Sequence, residues 1–177
     1  MFGKEYSFRG SHATKVNELT AEFDRDRNKL FKRNLDVYIM ASIVGFLYGR
    51  KADLERSGET TKIFPEQLIG EQSVLQFNYR LIMLLDKSHE PDFEERVNKA
   101  FRHYGSDRAK QDEVLFEQYV RGGVDILHEK LVRGARSEED YLKNLYEFVE
   151  ELHERYNHNI STDEILDLCR LARSGND

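Results

Sequence analysis

With only two prolines in 177 residues and no Gly/Ser-rich or low-complexity tract, the chain has no candidate for a long flexible linker. Its single cysteine, Cys169, excludes an intramolecular disulfide, and no secretory leader is legible at its start, so it reads as a cytoplasmic protein. Phe2 and Tyr6 are too isolated to form the apolar region of a leader. No apolar run reaches the roughly 20 residues that a membrane-spanning helix needs.

Catalytic motifs are missing as well. There is no Gly-Lys-Ser/Thr phosphate loop and no Gly-x-Ser-x-Gly nucleophile elbow. His153-Glu154 is followed by His158, five residues on rather than four, which turns the second imidazole off the face of the first and defeats a zinc-protease motif. His89-Glu90 and His128-Glu129 lack a second histidine, and these residues read as surface histidines. Pro91-Asp92 is not followed by the acidic-x-Lys element of a metal-dependent nuclease. Cys169 follows Leu168 on an apolar stripe and reads as a small core residue. The chain is expected to be no enzyme and to hold no metal or cofactor.

What is present is charge segregation and one apolar segment. The net charge is −6, but residues 1–62 carry twelve Lys/Arg against nine Asp/Glu, a balance of +3. Residues 63–177 carry fifteen against twenty-four, a balance of −9, and Ser137–Leu168 alone holds ten acids with only Lys143 and Arg155. Such an acidic stretch repels nucleic acid and suits either a solvated helix face or a basic partner. Leu35–Tyr48 is apolar or aromatic at all but Asp36, Ser42 and Gly45. A helix of this composition must be surrounded. At about 21 Å it is too short for a bilayer, so it reads as a buried central helix.

Helical periodicity governs nearly all the rest. Met1–Gly10 alternates at Tyr6 and Phe8 and reads as extended, and Ser11 is placed to cap a helix through Val16, Leu19 and Phe23. Gly49 stops the apolar helix. Thr60–Phe64 is the one β-like run in the connector Lys51–Pro65, and Pro65 can open a helix. Gln67–Leu85 reads as a second core helix, with Gly70 leaving its start on either side of Glu71. A short helix over Asp92–Tyr104 and a longer one to Val132 follow. In the longer helix, Gly122-Gly123 marks a close crossing of a continuous helix rather than a break. Ser137 and Ser161 read as N-caps of helices over Glu138–Tyr156 and Thr162–Ala172. The expected fold is a single all-α domain over 1–177, with six or seven helices around the apolar one, 1–10 extended and 173–177 a disordered tail.

Lys29, Lys32 and Arg33 precede the apolar helix, and Arg50 and Lys51 follow it. The two patches lie about 20 Å apart. Arg50 and Lys51 sit where cations meet a helix C-terminus favourably, and a phosphate or partner contact is the alternative use. Arg80, inside the second core helix, is expected either to face solvent or to pair with Asp36. Candidate contact residues are Arg50, Lys51, Lys32, Arg33 and Lys62, with Tyr141 and Tyr146 as exposed aromatics of the acidic helix.

Asp36–Leu54 (DVYIMASIVGFLYGRKADL) resembles a group of small bacterial proteins encoded beside DNA phosphorothioation genes, the phosphorothioation-associated protein 4 group. In both, an apolar helix runs into a Gly-Arg-basic-small-apolar turn, here Gly49-Arg50-Lys51-Ala52-Asp53-Leu54, and a helical segment follows. The likeness covers roughly residues 31–86. It implies a non-catalytic accessory component of an anti-phage or DNA-modification-linked system, working through a larger protein partner. The expectation is therefore an adaptor, compatible with homo-oligomerisation. The alternative is a nucleic-acid-binding protein using the basic N-terminal third.

Overall fold

In a computed structural model of the chain, residues 2–156 are described. The expected Ser161 cap, the helix Thr162–Ala172, Cys169 and the tail 173–177 lie outside the described residues. In chain order the elements are β1 (Tyr6–Arg9), α1 (Ser11–Leu19), α2 (Asn34–Leu47), β2 (Thr60–Ile63), α3 (Pro65–Gly70), α4 (Gln72–Leu85), α5 (Phe93–Val97), α6 (Lys110–Leu131) and α7 (Glu138–Tyr156). A π-helical turn at Asn98–Arg102 follows α5, and a 3-10 turn at Asp107–Ala109 leads into α6.

The protein is mostly helical rather than all-α, because β1 and β2 pair antiparallel, Tyr6 opposite Ile63 and Arg9 opposite Thr60. Both strands alternate with a period of two. Phe8, Thr61 and Ile63 are buried, while Arg9 and Thr60 face out. A two-stranded ribbon is marginal alone. This one is held by the Tyr6 ring, edge-on to Phe8 at 4.9 Å and to Tyr38 of α2 at 4.7 Å. Ser11 does not cap α1. Gly10 takes the N-cap position, and the Ser11 N–H and hydroxyl both donate to Glu55 of the connector.

Asp36 closes the start of α2: its carboxylate accepts from the Arg33 backbone N–H at 2.9 Å and from the Arg33 guanidinium at 2.6 Å. That occupies Asp36, so of the two readings of Arg80 the pairing with Asp36 does not form. Leu35, Val37, Tyr38 and Val44 are buried, each such side chain contributing about 1.5–3 kcal/mol. Met40 remains 45% exposed, so α2 is open along one edge rather than enclosed on all sides.

The most extensive helix packing joins α2 to α6. It is a backbone-to-backbone contact. A Cβ on Gly45 would lie 1.9 Å from the Tyr119 carbonyl oxygen, one on Gly123 1.8 Å from that of Ala41, and one on Gly122 2.0 Å from that of Arg50. α6 runs unbroken through Gly122-Gly123, as the close-crossing reading requires. Gly49, at φ 62, then turns the chain out of α2.

Two of the expected helices are divided. The Gln67–Leu85 segment is two helices, parted at Glu71, and Asp92–Tyr104 divides into α5 and the π-helical turn. Arg96, 5% exposed, ties α5 to the end of α4 by donating to the carbonyls of Leu84, Glu90 and Pro91. α4 buries Leu75, Tyr79, Ile82 and Met83 but leaves Val74, Phe77 and Leu85 exposed. Its apolar residues outnumber what one face can cover.

Gly123→Ala is expected to cost about 3 kcal/mol or more, since the clash is with backbone. Gly70→Ala, with nothing within 4 Å of the added carbon, is expected to stay within about 1 kcal/mol of the parent. Thermal melts check this. The first variant should lose roughly 6–12 °C and the second should hardly move.

Candidate functional site

The C-terminal exit of α2 is a built joint. The Ala52 N–H donates to the Gln118 carbonyl at 3.1 Å, Arg121 Nε donates to the Ala52 carbonyl at 2.9 Å, and Gln118 Nε2 donates to Asp53 at 3.0 Å. Arg50 pairs with Glu129 at 3.1 Å. Lys51 Nζ lies 4.8 Å from the Tyr119 ring centroid and 4.0 Å from Asp86. Asp86 is 4% exposed and accepts from the Tyr119 hydroxyl at 2.6 Å, the Ser88 hydroxyl and the His89 N–H. Burial alone would raise the Asp86 pKa, but the Ser88 and Tyr119 hydrogen bonds, the His89 N–H and Lys51 together hold it below the ordinary carboxylate value. Arg50 and Lys51 are thus engaged inside the molecule.

A second polar cluster joins α1, the connector and α6. His12 is 5% exposed, with Nδ1 3.4 Å from Glu55 and Nε2 3.5 Å from Asp125, ion-pair distances rather than aligned hydrogen bonds. Lys15 Nζ donates to Asp125 at 2.7 Å. Burial raises the Asp125 pKa, but His12 and Lys15 outweigh it and bring the carboxyl down to about 2. The only sequence signal for this cluster was the position of His12 on the apolar side of α1, next to Ala13 and Val16.

At the opposite end of α2 the structure gathers Lys29, Lys32, Arg33 and Lys62 around one cleft of about 360 Å³, with Thr20, Asn34, Phe64 and Gln67 completing its wall. Three of the expected contact residues, Lys32, Arg33 and Lys62, therefore share a site, while Arg50 and Lys51 stand apart from it. Lys62 also meets Glu5 at 3.0 Å, and Arg33 meets Asp36 and Glu71. Lys29 and Lys32 make no ion pair among the described residues.

The two tyrosines of α7 separate. Tyr141 stacks on Phe23 at 5.1 Å and is partly covered, whereas Tyr146 is 66% exposed. Ser137 caps α7 as expected: its hydroxyl accepts from the Asp140 N–H, and the Asp140 carboxylate accepts from the Ser137 N–H.

One patch escaped the sequence reading. On α4 and the π-helical turn, Phe77, Arg80, Leu81, Leu84 and Phe101, with Ser73, line a cleft of about 350 Å³. Phe77 and Phe101 are 63% and 51% exposed. The Arg80 guanidinium sits 5.3 Å from the Phe101 ring centroid and 5.8 Å from that of Tyr104, and its Nε is closed off from solvent without a hydrogen-bond partner. The available signal was the surplus of apolar residues in Gln67–Leu85, which overran a single helical face.

No group of His, Cys, Asp or Glu among the described residues could hold a metal ion, and no helix among them is long and apolar enough to cross a membrane. Comparison with protein-family models, curated proteins and solved structures finds no match.

Asp125 provides a pH test. Its folded-state pKa lies below the unfolded value, so it contributes stability above about pH 4 that is lost as pH falls toward 2. Asp125→Asn should destabilise by about 2 kcal/mol at pH 6. In urea titrations the gap between variant and parent should close as pH drops from 4 to about 2.

Proposed function

We propose that the protein is a non-catalytic accessory component that docks onto a larger protein partner through the α4 patch. The carrying observation is the pairing of exposed Phe77 and Phe101 with Arg80. Aromatic rings and arginine are the side chains that concentrate interface energy when water is excluded around them. Arg80 makes no ion pair among the described residues, and its guanidinium lies beside the Phe101 and Tyr104 rings in the lining of an apolar cleft that Phe77 shares. That combination suits a partner segment carrying an aromatic or aliphatic anchor beside a carboxylate. Tyr146, on the acidic α7, offers a second contact of opposite charge.

The resemblance of residues 31–86 to phosphorothioation-associated proteins supports placing this adaptor in a cytoplasmic bacterial genome-defence or DNA-modification-linked system. In this reading the Gly49-Arg50-Lys51 turn is the joint that sets α2 against α6, and docking falls to α4.

Affinity purification of the tagged protein from its native cells tests the reading. The parent should bring down one stoichiometric larger protein, and Phe77→Ser/Phe101→Ser should reduce its recovery about tenfold or more. Recovery of the chain without a partner, or equal recovery by the variant, overturns it. Light scattering on both forms reports whether the same patch joins two copies.

A further inference from the structure

The cleft at the start of α2 carries chemistry that the docking reading leaves unused. We infer that it binds a nucleotide unit, with the phosphate held among Lys29, Lys32, Arg33 and Lys62 and the base laid on Phe64. All four charged residues of its wall are cations, and no carboxylate lines it. This is segregation in a chain with thirty-three acidic residues against twenty-seven basic ones. Arg33 and Lys62 meet carboxylates that stand outside the wall, while Lys29 and Lys32 meet none among the described residues, and an anion in the cleft supplies the missing counter-charge.

The nearby carboxylates sharpen the site rather than cancel it. Arg33 Nε and Nη2 donate to Asp36, and Nη2 also donates to Glu71, which fixes the guanidinium plane and leaves Nη1 open. Glu5 holds Lys62 at 3.0 Å. Two cations are therefore positioned in advance, and Lys29 and Lys32 are free to close on a phosphate. Such charge-assisted bonds are the strong ones.

Phe64 makes the ligand more specific than an inorganic anion. It stands 54% exposed at the N-cap of α3, immediately before Pro65, so its backbone is stiff while its ring is uncovered. Every base offers a π-face to such a ring. Gln67 accepts the Phe64 N–H through Oε1, which leaves its Nε2 hydrogens available for a base edge. A cleft of about 360 Å³ suits one nucleotide, free or within a single strand, better than the regular groove of a duplex.

Fluorescence anisotropy with a labelled oligothymidylate of about twelve nucleotides at about 50 mM salt tests this. Thymidine monophosphate and polyglutamate serve as competitors. The oligonucleotide should bind, with affinity falling as salt rises at a log–log slope of about −0.7, as one phosphate of a single strand held in the cleft requires. Lys29→Glu/Lys32→Glu should weaken binding at least tenfold, by about the effect of reversing two contacts to that phosphate. Phe64→Ala should weaken it about tenfold without changing the salt slope. Lys62→Gln gives a milder second variant, and circular dichroism checks the fold of each. Displacement by the mononucleotide at similar concentration identifies a free nucleotide as the source, and much tighter oligonucleotide binding identifies a strand; both outcomes support the site. Three results overturn it: no binding of either probe below about 1 mM, a weakness outside the useful range for a built site; full binding by the double-lysine variant; or displacement by polyglutamate together with no effect of Phe64→Ala. Phe77→Ser/Phe101→Ser should bind the oligonucleotide like the parent, so this inference and the docking reading can fail separately.

Discussion

The rest of the structure hangs on the contact between the backbones of α2 and α6. Gly45 faces the Tyr119 carbonyl and Gly123 faces the Ala41 carbonyl, with no side chain between. Close packing of this kind tolerates no added volume where the opposing atoms are main chain. It also determines what each helix does with its flanks. α2 sends Leu35, Val37, Tyr38 and Val44 into the apolar cluster on either side of the crossing. α6 sends Tyr119 to Asp86 and Arg121 to the Ala52 carbonyl, so the connector after α2 is laid along α6 beside the crossing. Gly122 extends the approach to Arg50 and makes helix packing and loop path a single arrangement.

Charge is organised around that axis by use rather than by number. At the C-terminal end of α2, Arg50 and Lys51 meet Glu129, Asp86 and the Tyr119 ring. At α1, Lys15 and His12 converge on Asp125. Those groups stabilise the frame. The cations at the start of α2, and Arg80 on α4, are instead arranged with carboxylates behind them or with none. Of the first kind, the pairs on the buried carboxylates Asp86 and Asp125 bring specificity of packing, and the exposed Arg50–Glu129 pair adds little. Groups of the second kind are the ones with capacity left for a ligand.

Much of the frame was legible because it rests on local rules. The apolar run ended at Gly49, Ser137 capped α7 and Pro65 opened α3, each through chemistry confined to a few residues. Gly122-Gly123 was readable as a crossing because a glycine pair inside an amphipathic pattern costs helix stability unless something approaches closely. The sheet was half legible: Tyr6 and Phe8 alternated, and so did Thr60–Ile63, but pairing across some fifty residues leaves no local trace. The Gly10 cap was missed because Ser11 has the stronger intrinsic preference, overridden here by Glu55 forty-four residues away. The candidate site was legible in composition only. Lys32, Arg33 and Lys62 were each identifiable as cations, but their convergence depends on β2 running beside the start of α2. The exposure of Phe77 and Phe101 depends on which face of α4 finds neighbours, and periodicity does not choose between two apolar faces.

Among the described residues, α7 is attached differently from the other long helices. Its first turns hold on through Tyr141 stacked on Phe23, and its last through Glu151, which accepts from Tyr48 and Lys130, with Arg155 4.5 Å from the Tyr48 ring centroid. Between these ends Phe148 is buried, but Leu142, Leu145 and Val149 remain exposed. Along its middle α7 is held by Phe148 and by Asn144, which donates to the Leu131 carbonyl. None of the close backbone approaches at Gly45, Gly122 and Gly123 involves α7, so the seating of α7 and the α2–α6 crossing are separate contacts.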